Sequence, residues 1–70
     1  MRLTKWKGLE MNRIKEFREQ QGIKQAVLAE EAKISVGYLS HLERGEKENP
    51  SYRVMKNIAD ALGKSIGEVF

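Results

Sequence analysis

At 70 residues, with a formal charge of +3, no cysteine and one histidine, the chain has room for a single small domain and no material for disulfides or thiolate metal sites. Chains of this size bury only about 60% of the surface that their unfolded form exposes, so association with a partner would help to stabilise them. The sequence has no apolar run long enough to span a membrane and no signal-peptide centre near its start, from which we expect a soluble cytoplasmic protein.

In chain order, MRLTKWKGLE sets Arg2, Lys5 and Lys7 beside Leu3, Trp6 and Leu9, with Gly8 interrupting any helix. We read residues 1–11 as a flexible basic extension. It is either an arm that follows a nucleic-acid backbone or a frayed terminus with Trp6 packed on the domain. Residues 12–70 form the domain. Between Asn12 and Gln21 the spacing of Ile14 and Phe17 predicts a first helix, which Gly22 stops. From Gln25 the pattern predicts two short helices joined by a sharp turn at Lys33-Ile34-Ser35, the unit spanning residues 25–44. Leu28, Ala29 and Ala32 share one face of the first helix, Ile34 lies in the connection, and Leu39 and Leu42 recur at helical spacing in the second. These six residues close one small core, and Ser35 is placed to cap the second helix.

With Leu39 and Leu42 inward, Gly37, Ser40, His41 and Arg44 fall at i, i+3, i+4 and i+7 and form an outward stripe free of acidic groups. A helix that presents small, hydrogen-bonding side chains fits the DNA major groove, although a solvated helix face would carry the same pattern. Glu46 to Pro50 has no apolar residue and is a loop. Ser51 is placed to cap a fourth helix, whose Val54, Met55, Ile58, Ala59 and Leu62 make a stripe wide enough for burial on more than one side before Gly63 ends it. Tyr52 and Met55 are expected at the core or its rim. Ser65-Ile66-Gly67-Glu68 has capping-box spacing and opens a fifth helix ending in Val69 and Phe70, which complete the core or pack against a second copy.

Gln25, Ala29, Ile34, Leu39, Leu42 and the run Glu43-Arg44-Gly45 resemble the helix-turn-helix of the lambda-repressor-like (Cro and XRE type) family, and the similarity extends from about Asn12 to Phe70. The resemblance implies an all-α, five-helix DNA-binding domain with a central helix-turn-helix. It further implies a small transcriptional regulator of double-stranded DNA, a repressor on an inverted-repeat operator that dimerises through its C-terminal helices. By position, Val36, Gly37, Tyr38 and His41 match the family's base-facing residues, with Ser40 beside them. Gln25 matches a phosphate clamp, Ser35 lies near the backbone, and Arg44, Lys47, Asn49 and Arg53 are candidate phosphate contacts. Glu46 and Glu48 oppose such binding. Arg18 matches the arginine that forms a partly buried ion pair with the glutamate at Glu43. Two positions depart from the pattern: Lys33 stands where glycine is frequent, and Lys24 replaces the usual Ser or Thr cap, a loss of roughly 0.5–2 kcal/mol.

Positive charge lies beside the second helix of the pair, not on it. Met1 to Lys24 holds seven basic and three acidic residues, Gln25 to Gly45 two and three, and Glu46 to Phe70 four and four. An enzyme is not expected: His41 lacks a second ligand at helical zinc spacing, no glycine loop cradles a phosphate, and no cofactor or metal is implied. The alternative function is a protein-interaction module, an antitoxin or adaptor that holds a partner through Val54, Val69 and Phe70.

Overall fold

In the computed structural model, which describes residues 12–46 and 50–70, five helices follow one another: α1 (Ile14–Gln20), α2 (Gln25–Ala32), α3 (Val36–Glu43), α4 (Tyr52–Leu62) and α5 (Ile66–Val69). No strand occurs among the described residues. The expected extension at residues 1–11, Trp6 included, and the candidate phosphate residues Lys47 and Asn49 lie outside them.

The helix ends explain the short elements. α1, α2, α3 and α4 each finish with the same paired backbone turn, in which two successive amides reach back to helix carbonyls. The pairs are Gly22 to Glu19 with Ile23 to Arg18, Lys33 to Glu30 with Ile34 to Ala29, Gly45 to Leu42 with Glu46 to His41, and Gly63 to Asp60 with Lys64 to Ala59. This Schellman arrangement needs a residue at positive φ. Glycine supplies it three times, and at the end of α2 Lys33 adopts φ 63° instead. The starts are set by serines: the Ser35, Ser51 and Ser65 hydroxyls accept from the amides of Tyr38, Val54 and Glu68. The Glu68 carboxylate completes the capping box by accepting from the Ser65 amide. α2 starts at Lys24 without a side-chain cap.

One core unites the helices: Ile14 and Phe17 of α1, Leu28, Ala29 and Ala32 of α2, Leu39 and Leu42 of α3, Ile58, Ala59 and Leu62 of α4, and Val69 of α5. Each fully buried Leu or Ile adds about 1.5–3 kcal/mol relative to exposure. Ile34 is half-buried against this core instead of within it, and Ile23 packs beside it in the same way. α4 packs on α2, α1 and α5, which accounts for its wide apolar stripe. Tyr52 departs from expectation: it is 66% exposed, because it opens α4 on the first turn, ahead of the buried stretch from Ile58 to Leu62. Val69 also settles an open alternative. It is 1% exposed and belongs to the monomer core, so it offers nothing to a partner, whereas Phe70 is half-buried.

Polar ties between helix ends lock the arrangement. The Asn12 side chain donates to the Leu42 carbonyl at 2.8 Å and accepts from the Ile14 amide, joining the start of α1 to the end of α3. Gln21 donates to the Leu62 carbonyl, Asn57 to the Ala32 carbonyl, and the Arg13 amide to the Val69 carbonyl. Each satisfies a carbonyl that a helix terminus leaves open. Phe17 lies between two cations, Arg13 at 4.5 Å and Lys64 at 4.7 Å from the ring centre.

Candidate nucleic-acid interface

α3 is two-faced at single-residue resolution. Leu39, Leu42 and Glu43 are buried, while Val36, Gly37, His41 and Arg44 are exposed. Ser40 is half-buried at the edge, and so is Tyr38, whose ring packs partly against the core and is less free than the others to reach outward. Gly37 has no neighbour within 4 Å of where a Cβ would stand, so it is an open position on the stripe. Ser35 uses its oxygen on the Tyr38 amide at 3.0 Å and keeps its hydroxyl hydrogen for another acceptor.

The helix is held in place by charge beneath it. Arg18 of α1 grips Glu43 with both arms, Nε to Oε2 at 2.6 Å and Nη2 to Oε1 at 3.1 Å, and donates from Nη1 to the Ile23 carbonyl at 2.9 Å. The two side chains are 12% and 3% exposed. Two-armed geometry with an added donor is the condition under which a desolvated pair holds its place. The Gln25 amide supplies that donor, Nε2 to Glu43 Oε1 at 2.9 Å. Gln25, half-buried at the start of α2, therefore spends one of its two side-chain amide hydrogens on α3. This structural role of Gln25 left no signal in spacing or composition.

A second cluster covers the exposed end of α3. The Glu46 carboxylate accepts from Arg44 Nε at 2.9 Å and Nη2 at 3.1 Å, and lies 2.9 Å from His41 Nδ1. Arg44 Nη1 also donates to the Ser40 hydroxyl at 2.5 Å. The Arg44 guanidinium, by hydrogen bonding first and by charge second, holds the Glu46 carboxyl below its usual range, and the carboxylate raises Arg44 in turn. Sequence reasoning treated Glu46 only as a repulsive loop charge. The signal that would have placed it is Gly45, because a glycine turn closing α3 folds the following residue back over the helix end.

Lys15, Arg18, Gln25, Ser40 and Arg44 line one shallow cleft between α1 and α3, together with Glu19 and Glu43. Gln25, Ser40 and Arg44 are thus brought together. Arg53 stands apart from them, exposed in the first turn of α4. No group of three or more His, Cys, Asp or Glu side chains among the described residues is placed to hold a metal ion. Nor is any helix among them long and apolar enough to cross a membrane.

The family model described as "Helix-turn-helix" matches residues 14–69, nearly the whole described domain. The chain belongs to the helix-turn-helix family. Among curated relatives it is 37% identical over 57 residues to the HTH-type transcriptional regulator DdrOP3 of Deinococcus deserti, covering 81% of this chain and 43% of that protein. It is 35% identical over 54 residues to the HTH-type transcriptional regulator SinR of Bacillus subtilis, covering 77% of this chain and 49% of SinR. The chain therefore spans about half the length of these curated relatives. Its fold matches the restriction-modification controller protein C.AhdI of Aeromonas hydrophila with a TM-score of 0.77 at 31% identity, covering 83% of this chain and 86% of that one. It matches the N-terminal DNA-binding domain of SinR with a TM-score of 0.73 at 34% identity, covering 79% and 80%. A solved SinR protein/SinI protein complex matches with a TM-score of 0.73 at 35% identity, covering 77% and 52%. These neighbours are lambda-repressor-like domains, and the five-helix all-α architecture expected from the sequence is the one observed.

Proposed function

We propose that this helix-turn-helix domain binds double-stranded DNA sequence-specifically as part of a small transcriptional regulator, a repressor acting as a homodimer on an inverted-repeat operator. The observation that carries the reading is α3 itself. One face is locked to the core by Leu39, Leu42 and the Arg18–Glu43 pair, and the other presents Val36, Gly37, Ser40, His41 and Arg44 outward. A rigid helix with a small, polar outer face meets what a major groove admits. Its relatives support the assignment, since DdrOP3 and SinR are transcriptional regulators and one matched structure is the DNA-binding domain of SinR.

In this reading base contacts specify and phosphate contacts position. Val36 meets a thymine methyl, and Gly37 lets the backbone approach a base edge. Ser40, His41 and Tyr38 supply hydrogen-bonding groups. The first backbone amides of α2 and the second N–H of the Gln25 side-chain amide lie against the sugar-phosphate backbone, where a helix N-terminus favours an anion. The Ser35 hydroxyl, Arg44 and Arg53 add contacts, as do Lys47 and Asn49. Dimers of this type set their recognition helices about 34 Å apart, one turn of DNA.

The test is selection of sites from random duplex DNA, followed by titration of the winner against scrambled DNA at several salt concentrations. An inverted repeat bound at least ~10³-fold better than scrambled DNA is expected. Equal binding that vanishes with salt would reduce the interaction to phosphate attraction and end the operator reading.

The SinR–SinI complex favours a second reading, capture of a partner protein. With Val69 inside the core, such a surface would draw on Phe70, Val54 and the exposed Tyr52. Changing His41 and Arg44 to Ala separates the two, because it removes operator binding and leaves a protein partner's affinity intact.

A further inference from the structure

We infer that Glu46 is a positioning residue that fixes the tautomer of His41, so that His41 Nε2 faces outward as a hydrogen-bond acceptor and reads an exocyclic amine, cytosine N4 or adenine N6. The inference deepens the DNA-binding reading and rests on it.

Two independent constraints bring Glu46 to His41. In the backbone, Gly45 at φ 74° closes α3 so that the Glu46 amide donates to the His41 carbonyl at 2.9 Å, placing residue 46 directly over residue 41. In the side chains, Arg44 holds the Glu46 carboxylate by two hydrogen bonds, and Ser40 holds the third arm of Arg44. The carboxylate is thereby oriented with Oε1 at 2.9 Å from Nδ1 of the imidazole. Among the described residues, Glu46 is the ring's hydrogen-bonding partner and Arg44 is the other partner of Glu46.

An ionised carboxylate has only acceptors to offer, so the ring nitrogen that faces it must carry the hydrogen. In a neutral imidazole the other nitrogen then bears a lone pair, and the hydrogen bond made at one nitrogen decides what the second presents. His41 is about half exposed, and Nε2 is the nitrogen left to meet DNA. In the major groove the donors are the amines of cytosine and adenine, while guanine O6 and N7 and thymine O4 are acceptors. Glu46 thus makes His41 favour the first pair and oppose guanine. The same carboxylate spends both the Nε and Nη2 donors of Arg44, so Arg44 reaches a phosphate only with its remaining N–H groups.

His41 is the chain's one histidine, so its ring nitrogens are identified in a nitrogen-15 correlation spectrum without further assignment. At pH 8 the free protein is expected to show the hydrogen on Nδ1 and a bare Nε2. Glu46→Ala is expected to return the ring to the Nε2–H form that unconstrained histidine favours. A bare Nδ1 or a doubly protonated ring in the unaltered protein at that pH overturns the inference, as does a tautomer that Glu46→Ala leaves unchanged. The second arm is site selection with both proteins. The unaltered protein should prefer adenine or cytosine at one position per half-site by about five- to tenfold, the scale of one hydrogen bond. Glu46→Ala should move that position to guanine or thymine and leave the rest of the site as it was. Guanine at that position with the unaltered protein overturns the inference while the operator reading stands. A correct tautomer with no enriched site overturns the operator reading, and with it the role of His41 in base selection.

Discussion

Lys33 ends α2 in the left-handed region, at φ 63°, performing the turn that Gly22, Gly45 and Gly63 perform for the other helices. A side chain there costs about 1–2 kcal/mol in steric conflict, partly offset because lysine loses less backbone entropy on folding than glycine. Lys33→Gly should therefore stabilise the domain by about 0.5–1 kcal/mol, read as a raised urea midpoint at unchanged slope; a lowered midpoint would contradict this. The Arg18–Glu43 pair works in the opposite direction. Removing one partner leaves the other charged and desolvated, so Glu43→Ala and Arg18→Ala should each cost about 3–5 kcal/mol. The double variant should cost less than their sum, and strict additivity would show that the pair is not coupled. At this scale the residues legible in the sequence were those whose role follows from period. Leu39 and Leu42 inward, with His41 and Arg44 outward, needed only the helical repeat. Asn12, Gln21, Gln25 and Asn57 were not legible in their structural roles, because each partner lies 18 to 41 residues away and a single polar contact leaves no periodic trace.

At the scale of elements, local signals and tertiary packing agree nearly everywhere, and helices of 4 to 11 residues depend on that agreement. Isolated helices so short are marginal in water, so caps decide where they begin and the core decides whether they persist. Ser35, Ser51 and Ser65 each stand one residue before a helix, and the glycine turns stand after, which is why boundaries were readable to within a residue or two. α5 is the most dependent on its cap. The backbone and side-chain hydrogen bonds from Ser65, helped by Lys64 and Arg13, hold the Glu68 carboxyl below its usual value. A carboxyl lowered on folding adds stability above its unfolded value, near 4.5, and that contribution is lost as pH falls through the lower folded value. The melting temperature should thus drop on acidification below about pH 5. Glu68→Gln keeps an acceptor for the Ser65 amide but no charge to titrate, so it should flatten part of that drop. Identical acid profiles for the two proteins would remove Glu68 from the account.

For the whole molecule, the question is what the C-terminal end does once Val69 is committed to the core. α5 contributes one buried side chain, and its last residue, Phe70, is half-buried beside Ile66, also half-buried. Phe70 packs partly against its own core and keeps a margin of apolar surface for a second copy to cover. The domain's principal extents are 35 × 23 × 19 Å. A symmetric dimer on successive turns of DNA needs its recognition helices about 34 Å apart. If the copies associate, stability is linked to concentration, since whatever binds the folded state and not the unfolded one raises the melting temperature by mass action. The melting temperature should rise steadily over a hundredfold increase in protein concentration, and the sedimentation mass should climb from monomer to dimer over the same range. Phe70→Glu should abolish both trends and make operator half-sites fill independently, while the helical circular dichroism of the monomer is retained. A melting temperature independent of concentration, with a monomer mass throughout, would show that the domain does not dimerise through α5, and an inverted-repeat operator would then have to recruit two copies by DNA contacts alone.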